Sequence, residues 1–236
     1  NGKSAGDSFG AEVSLNSGSI GTRTAGTVLA AGASSHGEYA QVYDWVHSGP
    51  GIGDGAWVLR GGTDLQHPDG EATITWFGVS VSLSSDGSVV AIGSPASDEV
   101  LVFLWGNQTG WLQVGNSIEG QTNSFYGADV SLSEDGTIVA IGCQSGGDDQ
   151  QGYIELLSWN GNSWQHVFST GGEDSDERLG HGISLSSNGT VVACGGPYYG
   201  YHDGESGKNG GRVLVFDASS SSTSCASFNQ NWSLAG

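Results

Sequence analysis

Residues 77–95 read Phe-Gly-Val-Ser-Val-Ser-Leu-Ser-Ser-Asp-Gly-Ser-Val-Val-Ala-Ile-Gly-Ser-Pro, and this segment recurs along the chain. Near-copies begin at Phe9, Tyr126 and Leu179, the first of them with an insertion after Leu15. Self-similarity of this kind is the signature of a repeat architecture. It divides the 236 residues into four repeats that average about 59 residues, each long enough for a four-stranded propeller blade. We place the repeats at residues 9–76, 77–125, 126–178, and 179–236 together with 1–8, within a single domain.

Each repeat also shows where its strands lie. The Val-Ser-Leu segment alternates apolar and polar residues, as a strand does, and Asp86-Gly87 supplies the positive φ angles of a tight hairpin to a second strand. A polar loop then leads to a third strand ending at Trp105 and a fourth around Trp111. Such a sheet is apolar on both faces, which only neighbouring blades can cover. The sequence therefore predicts an all-β fold, a four-bladed β-propeller.

The start and end of the repeated segment resemble a known family. The Phe-Gly start and the Gly-Ser-Pro95 or Gly-Gly-Pro197 end, bracketing a hairpin, are similar to the FG-GAP repeat of integrin-type propellers, and the similarity spans all four repeats. That family often carries an Asp-x-Asp-x-Asp calcium loop in the hairpin. Residues 83–87 offer one carboxylate, too few for the six to eight oxygens that calcium requires, so this site is not transferred. Integrin-type propellers also have more than four blades, which leaves either a small closed ring or a part of a larger assembly.

The net charge and the composition indicate which classes of binding partner and which cellular location to expect. The formal net charge is −19, which repels nucleic acid and anionic membranes and favours cations or basic partners. No apolar run approaches the roughly 20 residues that a membrane helix needs. The chain starts at Asn1 without a signal peptide, so we expect a processed, secreted product. The sequons at Asn107, Asn188 and Asn231 predict an extracellular glycoprotein.

Propeller geometry sorts the loops between two faces. The loops joining strands 2–3 and 4–1 share one face and hold most of the loop acids, among them Asp98, Glu99, Glu119, Asp148, Asp149, Glu173, Asp174, Asp176, Glu177, Asp203 and Glu205. Asn107 and Asn188 fall in the 3–4 and 1–2 turns, with Asn231 on the same side. We therefore predict an acidic, aromatic face opposite a glycosylated face.

Aromatic residues on the acidic face are candidates for ligand contact. Seven tryptophans recur at matching repeat positions, where packing between blades explains them. Trp76 breaks the period, because its equivalents are Ser8, Phe125 and Arg178. It is the candidate exposed platform, together with a loop cluster that comprises Tyr198, Tyr199, Tyr201 and His202.

Metal binding and catalysis have little support in the sequence. The run Glu173, Asp174, Asp176 and Glu177 is read either as a solvated loop or as a weak Ca²⁺ site, and no other cofactor is expected. We find no nucleophile elbow, zinc helix or phosphate loop, so no catalytic residue is assigned and the chain is not expected to be an enzyme. Three cysteines, Cys143, Cys194 and Cys225, allow one disulfide at most, and the sequence does not select the pair.

These observations predict a secreted structural or adhesive module that works through protein–protein or protein–glycan contacts. The chain ends fall between blades, so we expect that they could meet those of a second molecule in a homo-oligomer or filament. The alternative is a lectin-like propeller that binds carbohydrate or another ligand, and an enzyme ranks third. The fold class alone does not choose among them, because propellers host all three.

Overall fold

The computed structural model describes residues 2–17, 27–35, 38–49, 54–68, 70, 74–200 and 210–217. Four small antiparallel sheets are arranged as a four-bladed β-propeller, which confirms the predicted fold. Each sheet lies within one of the predicted repeats. The part of the chain that is described contains no helix long and apolar enough to cross a membrane.

The strands of each blade pair antiparallel in chain order. Blade 1 consists of β1 (Phe9–Leu15), β2 (Val28–Ala33), β3 (Tyr39–His47), β4 (Gly55–Leu59) and β5 (Leu65–Gln66), with a 3-10 turn at Arg60–Gly62. Blade 2 consists of β6 (Val81–Leu83), β7 (Val89–Ser94), β8 (Glu99–Gly106), β9 (Gly110–Gln113) and β10 (Ile118–Glu119). Blade 3 consists of β11 (Tyr126–Leu132), β12 (Ile138–Cys143), β13 (Tyr153–Trp159) and β14 (Trp164–Gly171). Blade 4 consists of β15 (Gly182–Leu185), β16 (Val191–Gly196) and β17 (Arg212–Asp217).

The outermost strand departs from the simple prediction. In blades 1 and 2 it is broken into two short strands that pair with the same neighbour, β4 and β5 with β3, and β9 and β10 with β8. Only blade 3 has one continuous outer strand among the described residues. The predicted fourth strand of the last repeat, around Trp232, lies outside them.

In blades 2, 3 and 4 the first hairpin is held by its own turn residues. Gly87 has φ 68°, a conformation that glycine adopts without steric cost. The Asp86 carboxylate accepts hydrogen bonds from the Ser84 hydroxyl (2.7 Å) and from the N–H (2.8 Å) and hydroxyl (2.6 Å) of Ser88. Asp135 and Asn188 do the same in blades 3 and 4. The recurrence of these turn residues therefore follows from a recurring local hydrogen-bond network.

Adjacent blades share apolar cores. Between blades 1 and 2, side chains of β2 and β3 pack against the inner strand of the next blade, so that Val28, Val42 and Val81 are at most 4% exposed. The same arrangement repeats between blades 2 and 3 and between blades 3 and 4. Burying a valine or leucine side chain stabilises a fold by roughly 1.5–3 kcal/mol, so these junctions hold the blades together.

A pair of glycines at each of the three internal junctions lets the blades approach closely. A methyl group on Gly93 of blade 2 would overlap the carbonyl oxygen of Gly127 in blade 3. The same steric relation joins Gly32 to Gly78 and Gly142 to Gly180. The glycines of the repeated Phe-Gly and Ala-Ile-Gly segments are thus partners across the junctions, which explains why both recur.

The serine of each Val-Ser-Leu segment links the inner strands. Ser14 Oγ accepts a hydrogen bond from Leu83 N–H in the next blade (3.0 Å), and Ser82 accepts one from Leu132 N–H (3.0 Å). Ser131 accepts the equivalent bond from Leu185 N–H at 3.0 Å. This contact gives the alternating segment a second role besides strand formation.

A half-buried carboxylate adds a further link among blades 2, 3 and 4. Asp129 of blade 3 accepts hydrogen bonds from Ile183 N–H of blade 4 (2.6 Å) and from the Ser80 hydroxyl of blade 2 (3.2 Å). Burial raises the pKa of Asp129, against the lowering effect of these hydrogen bonds. One side chain therefore connects three consecutive blades.

The periodic tryptophans form cross-strand pairs within the blades. Trp45 faces Trp57, Trp105 faces Trp111 and Trp159 faces Trp164, with ring centroids 5.4, 5.3 and 5.4 Å apart. Trp111 and Trp164 also lie against cores shared with the preceding blade. Packing between blades is thus confirmed for Trp111 and Trp164, whereas Trp45 and Trp57 pair within blade 1 and Trp232 lies outside the described residues.

Candidate interaction surfaces

The residue before each Phe-Gly segment has a left-handed backbone in all four blades. Ser8, Trp76, Phe125 and Arg178 have φ of 54°, 56°, 55° and 56°. For a residue other than glycine this conformation costs roughly 1–2 kcal/mol. Each carbonyl accepts a hydrogen bond from the N–H three residues later, at 3.0–3.2 Å, so the fold imposes the turn on whichever residue stands there. A large aromatic side chain at this position is not explained by backbone preference.

Trp76 and Phe125 stack on one another. Their ring centroids are 5.6 Å apart with an interplanar angle of 21°, and Trp76 is 40% exposed. Trp76 is therefore exposed and paired with a second aromatic ring, and its role as a ligand platform stays a prediction. Phe125 holds the position equivalent to Trp76 in the next repeat, but the repeat pattern alone does not identify it as the stacking partner.

A shallow polar cleft lies beside this pair. It has a volume of about 370 Å³ and is lined by Phe125 together with amide and hydroxyl side chains, among them Gln121, Asn123, Ser145 and Gln150. Amides and hydroxyls next to an aromatic ring can hydrogen-bond and stack on the polar and apolar sides of a sugar.

The tyrosine cluster makes different contacts. Tyr198 is 39% exposed and lies against the Arg178 guanidinium, 5.0 Å from the ring centroid. Tyr199 lies under the Arg212 guanidinium at 4.3 Å. Tyr201 and His202 lie outside the described residues. Trp76 and the described tyrosines thus contact different partners, and no contact between them joins the predicted ligand-binding residues into one site.

Several loop carboxylates hold the loops of neighbouring blades. Asp98 of blade 2 accepts hydrogen bonds from the N–H groups of Asn123 (2.5 Å) and Ser124 (2.9 Å), in the loop between β10 and β11 that leads into blade 3. Glu38 of blade 1 accepts them from the N–H (2.8 Å) and hydroxyl (2.5 Å) of Thr75. These acids therefore hold adjacent loops together, a structural role that the prediction of an acidic face did not include.

Two of the predicted metal-binding carboxylates, Glu173 and Glu177, contact an arginine instead. The Glu177 carboxylate is fully buried and contacts Arg212 twice, at 2.5 Å from Nε and 2.9 Å from Nη2. It also accepts hydrogen bonds from the N–H groups of Glu173 (2.7 Å) and Asp174 (3.3 Å). Placing Glu177 among the exposed loop acids was wrong, because Arg212, 35 residues away, pairs with it in the interior.

Glu173 and Asp174 also make contacts within the protein. Glu173 contacts Arg212 Nη1 at 2.9 Å, and Asp174 accepts a hydrogen bond from Gly200 N–H at 3.0 Å. Asp176 has a left-handed backbone with φ 58°. Within the described ranges, no group of three or more His, Cys, Asp or Glu side chains could hold a metal ion. Calcium binding by this run stays a prediction that the geometry does not support.

Two of the three sequon asparagines are exposed, in turns on the side of the propeller opposite the 2–3 and 4–1 loops. Asn107 lies in the turn between β8 and β9, and Asn188 in the turn between β15 and β16. The Asn107 side-chain oxygen accepts a hydrogen bond from Trp105 Nε1 at 3.2 Å. Asn231 lies outside the described residues.

Cys143 and Cys194 are buried free thiols. Burial raises the pKa of Cys143 to about 11 and that of Cys194 to about 12. Because the thiolate is the nucleophilic form, neither cysteine suits covalent catalysis at neutral pH. Cys225 lies outside the described residues.

The inner strand of blade 1 presents an uncovered apolar face. Val13 and Leu15 are 55% and 56% exposed, whereas their equivalents Val81 and Leu83 in blade 2 are 4% and 8% exposed. A Cβ placed on Gly10 would meet nothing within 4 Å, although the equivalent glycines of the other blades are crowded by the preceding blade. We call the surface formed by Gly10, Val13 and Leu15 the front face.

Blade 4 presents the complementary uncovered surface. Val213 is 50% exposed and Val191, Ala193 and Val215 are half-buried, whereas the equivalent residues of blade 2 are at most 8% exposed. A Cβ on Gly195 would meet only the Gly182 oxygen, at 4.0 Å. We call the surface formed by these five positions, 191, 193, 195, 213 and 215, the rear face. Within the described part of the chain, no hydrogen bond or ion pair joins blade 4 to blade 1.

This architecture places the chain among the β-propellers. No protein-family model matches it, and no curated protein sequence is similar to it. Among solved structures, hydrazine synthase from Kuenenia stuttgartiensis superimposes with a TM-score of 0.57 and 12% identity over 91% of this chain and 47% of its own. A functionally unknown protein from Desulfotomaculum acetoxidans gives a TM-score of 0.50 and 14% identity, over 81% of this chain and 51% of its own. This chain thus spans about half the length of these structures, and at such identities the likeness shows the fold alone.

Proposed function

We propose that this chain is a structural or adhesive module of a secreted, extracellular glycoprotein, acting through protein–protein or protein–glycan contacts. The observation that carries the proposal is the pair of uncovered apolar blade faces. Val13, Leu15 and Val213 are half-exposed at positions that are buried at the internal junctions of the same molecule. Contiguous exposed apolar surface in a soluble protein is typical of an interaction site.

Other features support the extracellular and non-catalytic parts of this proposal. The sequon residues Asn107 and Asn188 are exposed and therefore accessible to glycosylation. The FG-GAP resemblance agrees with an adhesive role. A histidine–carboxylate pair, His67 and Glu99 at 2.6 Å, is buried between blades 1 and 2 against Phe77. The side chains of this pair are largely closed to bulk solvent, so we propose no catalytic role for it.

A bead-attachment assay tests the proposed function. Beads coated with the protein are expected to attach to a surface coated with extracellular matrix from its source, and Val13→Asp is expected to remove most of that attachment. The reason is that a carboxylate in an apolar contact must lose its hydration without gaining a partner. Val46→Asp is the matched control, because Val46 is 49% exposed on β3, away from both faces. Equal attachment by wild type and Val13→Asp would contradict the role of the front face.

The second candidate is a lectin-like propeller, favoured by the Trp76–Phe125 stack beside the amide-lined cleft. On a glycan array, Trp76→Ala is expected to weaken binding about tenfold or more, since truncating an aromatic anchor costs on the order of 1–2 kcal/mol or more. Trp57→Ala, which removes a 38% exposed tryptophan of an outer strand, is the control. Array binding that Trp76→Ala leaves unchanged would count against this site.

A further inference from the structure

We propose that the front face of one molecule docks on the rear face of a second copy of this chain, head to tail, in the register that joins consecutive blades. The proposal rests on the proposed function and names the partner of the uncovered faces. The two faces match the internal junctions in three features: apolar positions, hydrogen-bonding groups and shape.

The first step is the match of apolar positions. At each internal junction the valine or isoleucine and the leucine of the inner strand pack on apolar residues of the preceding blade, and in blades 1 and 2 these are four valines and alanines. Those four are Val28, Ala30, Ala40 and Val42 in blade 1, and Val89, Ala91, Val100 and Val102 in blade 2. Strand pairing places Val191, Ala193, Val213 and Val215 at the same positions in blade 4. The rear face therefore has the composition that receives Val-Ser-Leu, and Val13-Ser14-Leu15 is such a segment.

The second step is the match of hydrogen-bonding groups. Ser14, Ser82 and Ser131 accept from the leucine N–H of the following blade. Ser184 holds the accepting position on blade 4, where it is exposed, and Leu15 holds the donating position on blade 1. Docking would complete a fourth bond of the same kind.

The third step is the match of shape. At each internal junction the glycine of the second strand touches the carbonyl of the Phe-Gly glycine in the next blade. Gly195 and Gly10 are the corresponding residues of the two uncovered faces, and both look onto open space. Each face thus lacks the glycine contact that the other provides.

These matches select a second copy as the partner. The front face complements the rear face but not itself, so the contact is heterologous and either closes a ring of copies or extends a chain of them. The net charge of −19 makes copies repel one another at low ionic strength, and salt screens this repulsion. Association is therefore expected to strengthen as salt is raised.

Sedimentation velocity on the whole protein tests the proposal. In 0.5 M salt (ionic strength at which the Debye length is only a few ångströms) the wild type is expected to form larger species as its concentration rises. Leu15→Asp blocks the front face and Val213→Asp the rear face, and each is expected to weaken association at least about 100-fold. Val46→Asp is expected to associate like the wild type, and thermal unfolding checks that every variant is folded.

Mixing the two blocked variants gives the decisive result. Leu15→Asp keeps its rear face and Val213→Asp keeps its front face, so an equimolar mixture is expected to form a one-to-one dimer and nothing larger. Failure of the mixture to recover a dimer would overturn head-to-tail docking. A wild type that stays monomeric at every concentration would also overturn it. This holds even if the cause is that residues 218–236 of the same molecule cover the faces. If such a monomer still attached beads through Val13, the proposed function would survive and the second copy would not be the partner.

Discussion

Replacing Glu177 by alanine is expected to lower the free energy of unfolding by about 3–5 kcal/mol, the usual loss when one member of a buried ion pair is removed. The Glu177 carboxylate is fully buried and meets Arg212 through two oxygens. Without it, the Arg212 guanidinium, whose side chain is 11% exposed, would remain in the interior without its main partner. The N–H groups of Glu173 and Asp174 would lose their acceptor as well. Urea unfolding at neutral pH measures the loss.

Glu173→Ala is the matched control for that experiment. Glu173 contacts the same arginine at 2.9 Å, but its side chain is 65% exposed. Solvent-exposed ion pairs contribute roughly 0–1 kcal/mol, so this variant is expected to unfold near the wild type. A loss of less than about 1 kcal/mol for Glu177→Ala, or equal losses for the two variants, would show that the buried pair does not hold this loop.

The parts of the fold that were predictable are those encoded locally and repeated. The Asp-Gly and Asn-Gly turns, the Val-Ser-Leu strands and the apolar second strands carry their signal within a few residues, and recurrence separates that signal from chance. The break in the outer strands of blades 1 and 2 was not predictable. Residues 60–64 and 114–117 have one left-handed glycine in common, Gly61 (φ 78°) and Gly115 (φ 74°), each facing a tryptophan of the next blade. One glycine among the 42 of this chain is too weak a signal to predict a break.

The candidate surfaces were less accessible to prediction because they depend on distant residues. The burial of Glu177 requires Arg212, which lies beyond a long loop. Trp76 and Phe125 were recognised as equivalent positions, but only the structure shows that their rings meet. The exposure of Val13 and Leu15 has no local signature at all, since Val81 and Leu83 carry the same Val-Ser-Leu pattern and are buried.

Gly93→Ala is expected to destabilise the protein by about 3 kcal/mol, at the upper end of the usual cost of overpacking. A methyl group there would overlap the Gly127 carbonyl oxygen of blade 3. Because the obstacle is a backbone carbonyl, it cannot rotate away as a side chain would, and relief requires a shift of blade 3 against blade 2. For a protein of this size, a loss of 3 kcal/mol corresponds to a fall in melting temperature of roughly 6–12 °C, which differential scanning calorimetry measures directly.

Gly195→Ala makes the same change at the equivalent position of blade 4, where the nearest atom to a new methyl group is 4.0 Å away. It is therefore expected to leave the free energy of unfolding of the isolated molecule within about 0.5 kcal/mol of the wild type. If Gly195 is also the residue that receives Gly10 of a second copy, Gly195→Ala must weaken self-association although it leaves the monomer intact. A loss of stability as large as that of Gly93→Ala would mean that the rear face is already covered within one molecule. The two glycine variants together therefore distinguish two arrangements: a closed ring, in which blade 4 packs on blade 1 of the same molecule, and an open one, in which blade 4 packs on blade 1 of a second copy.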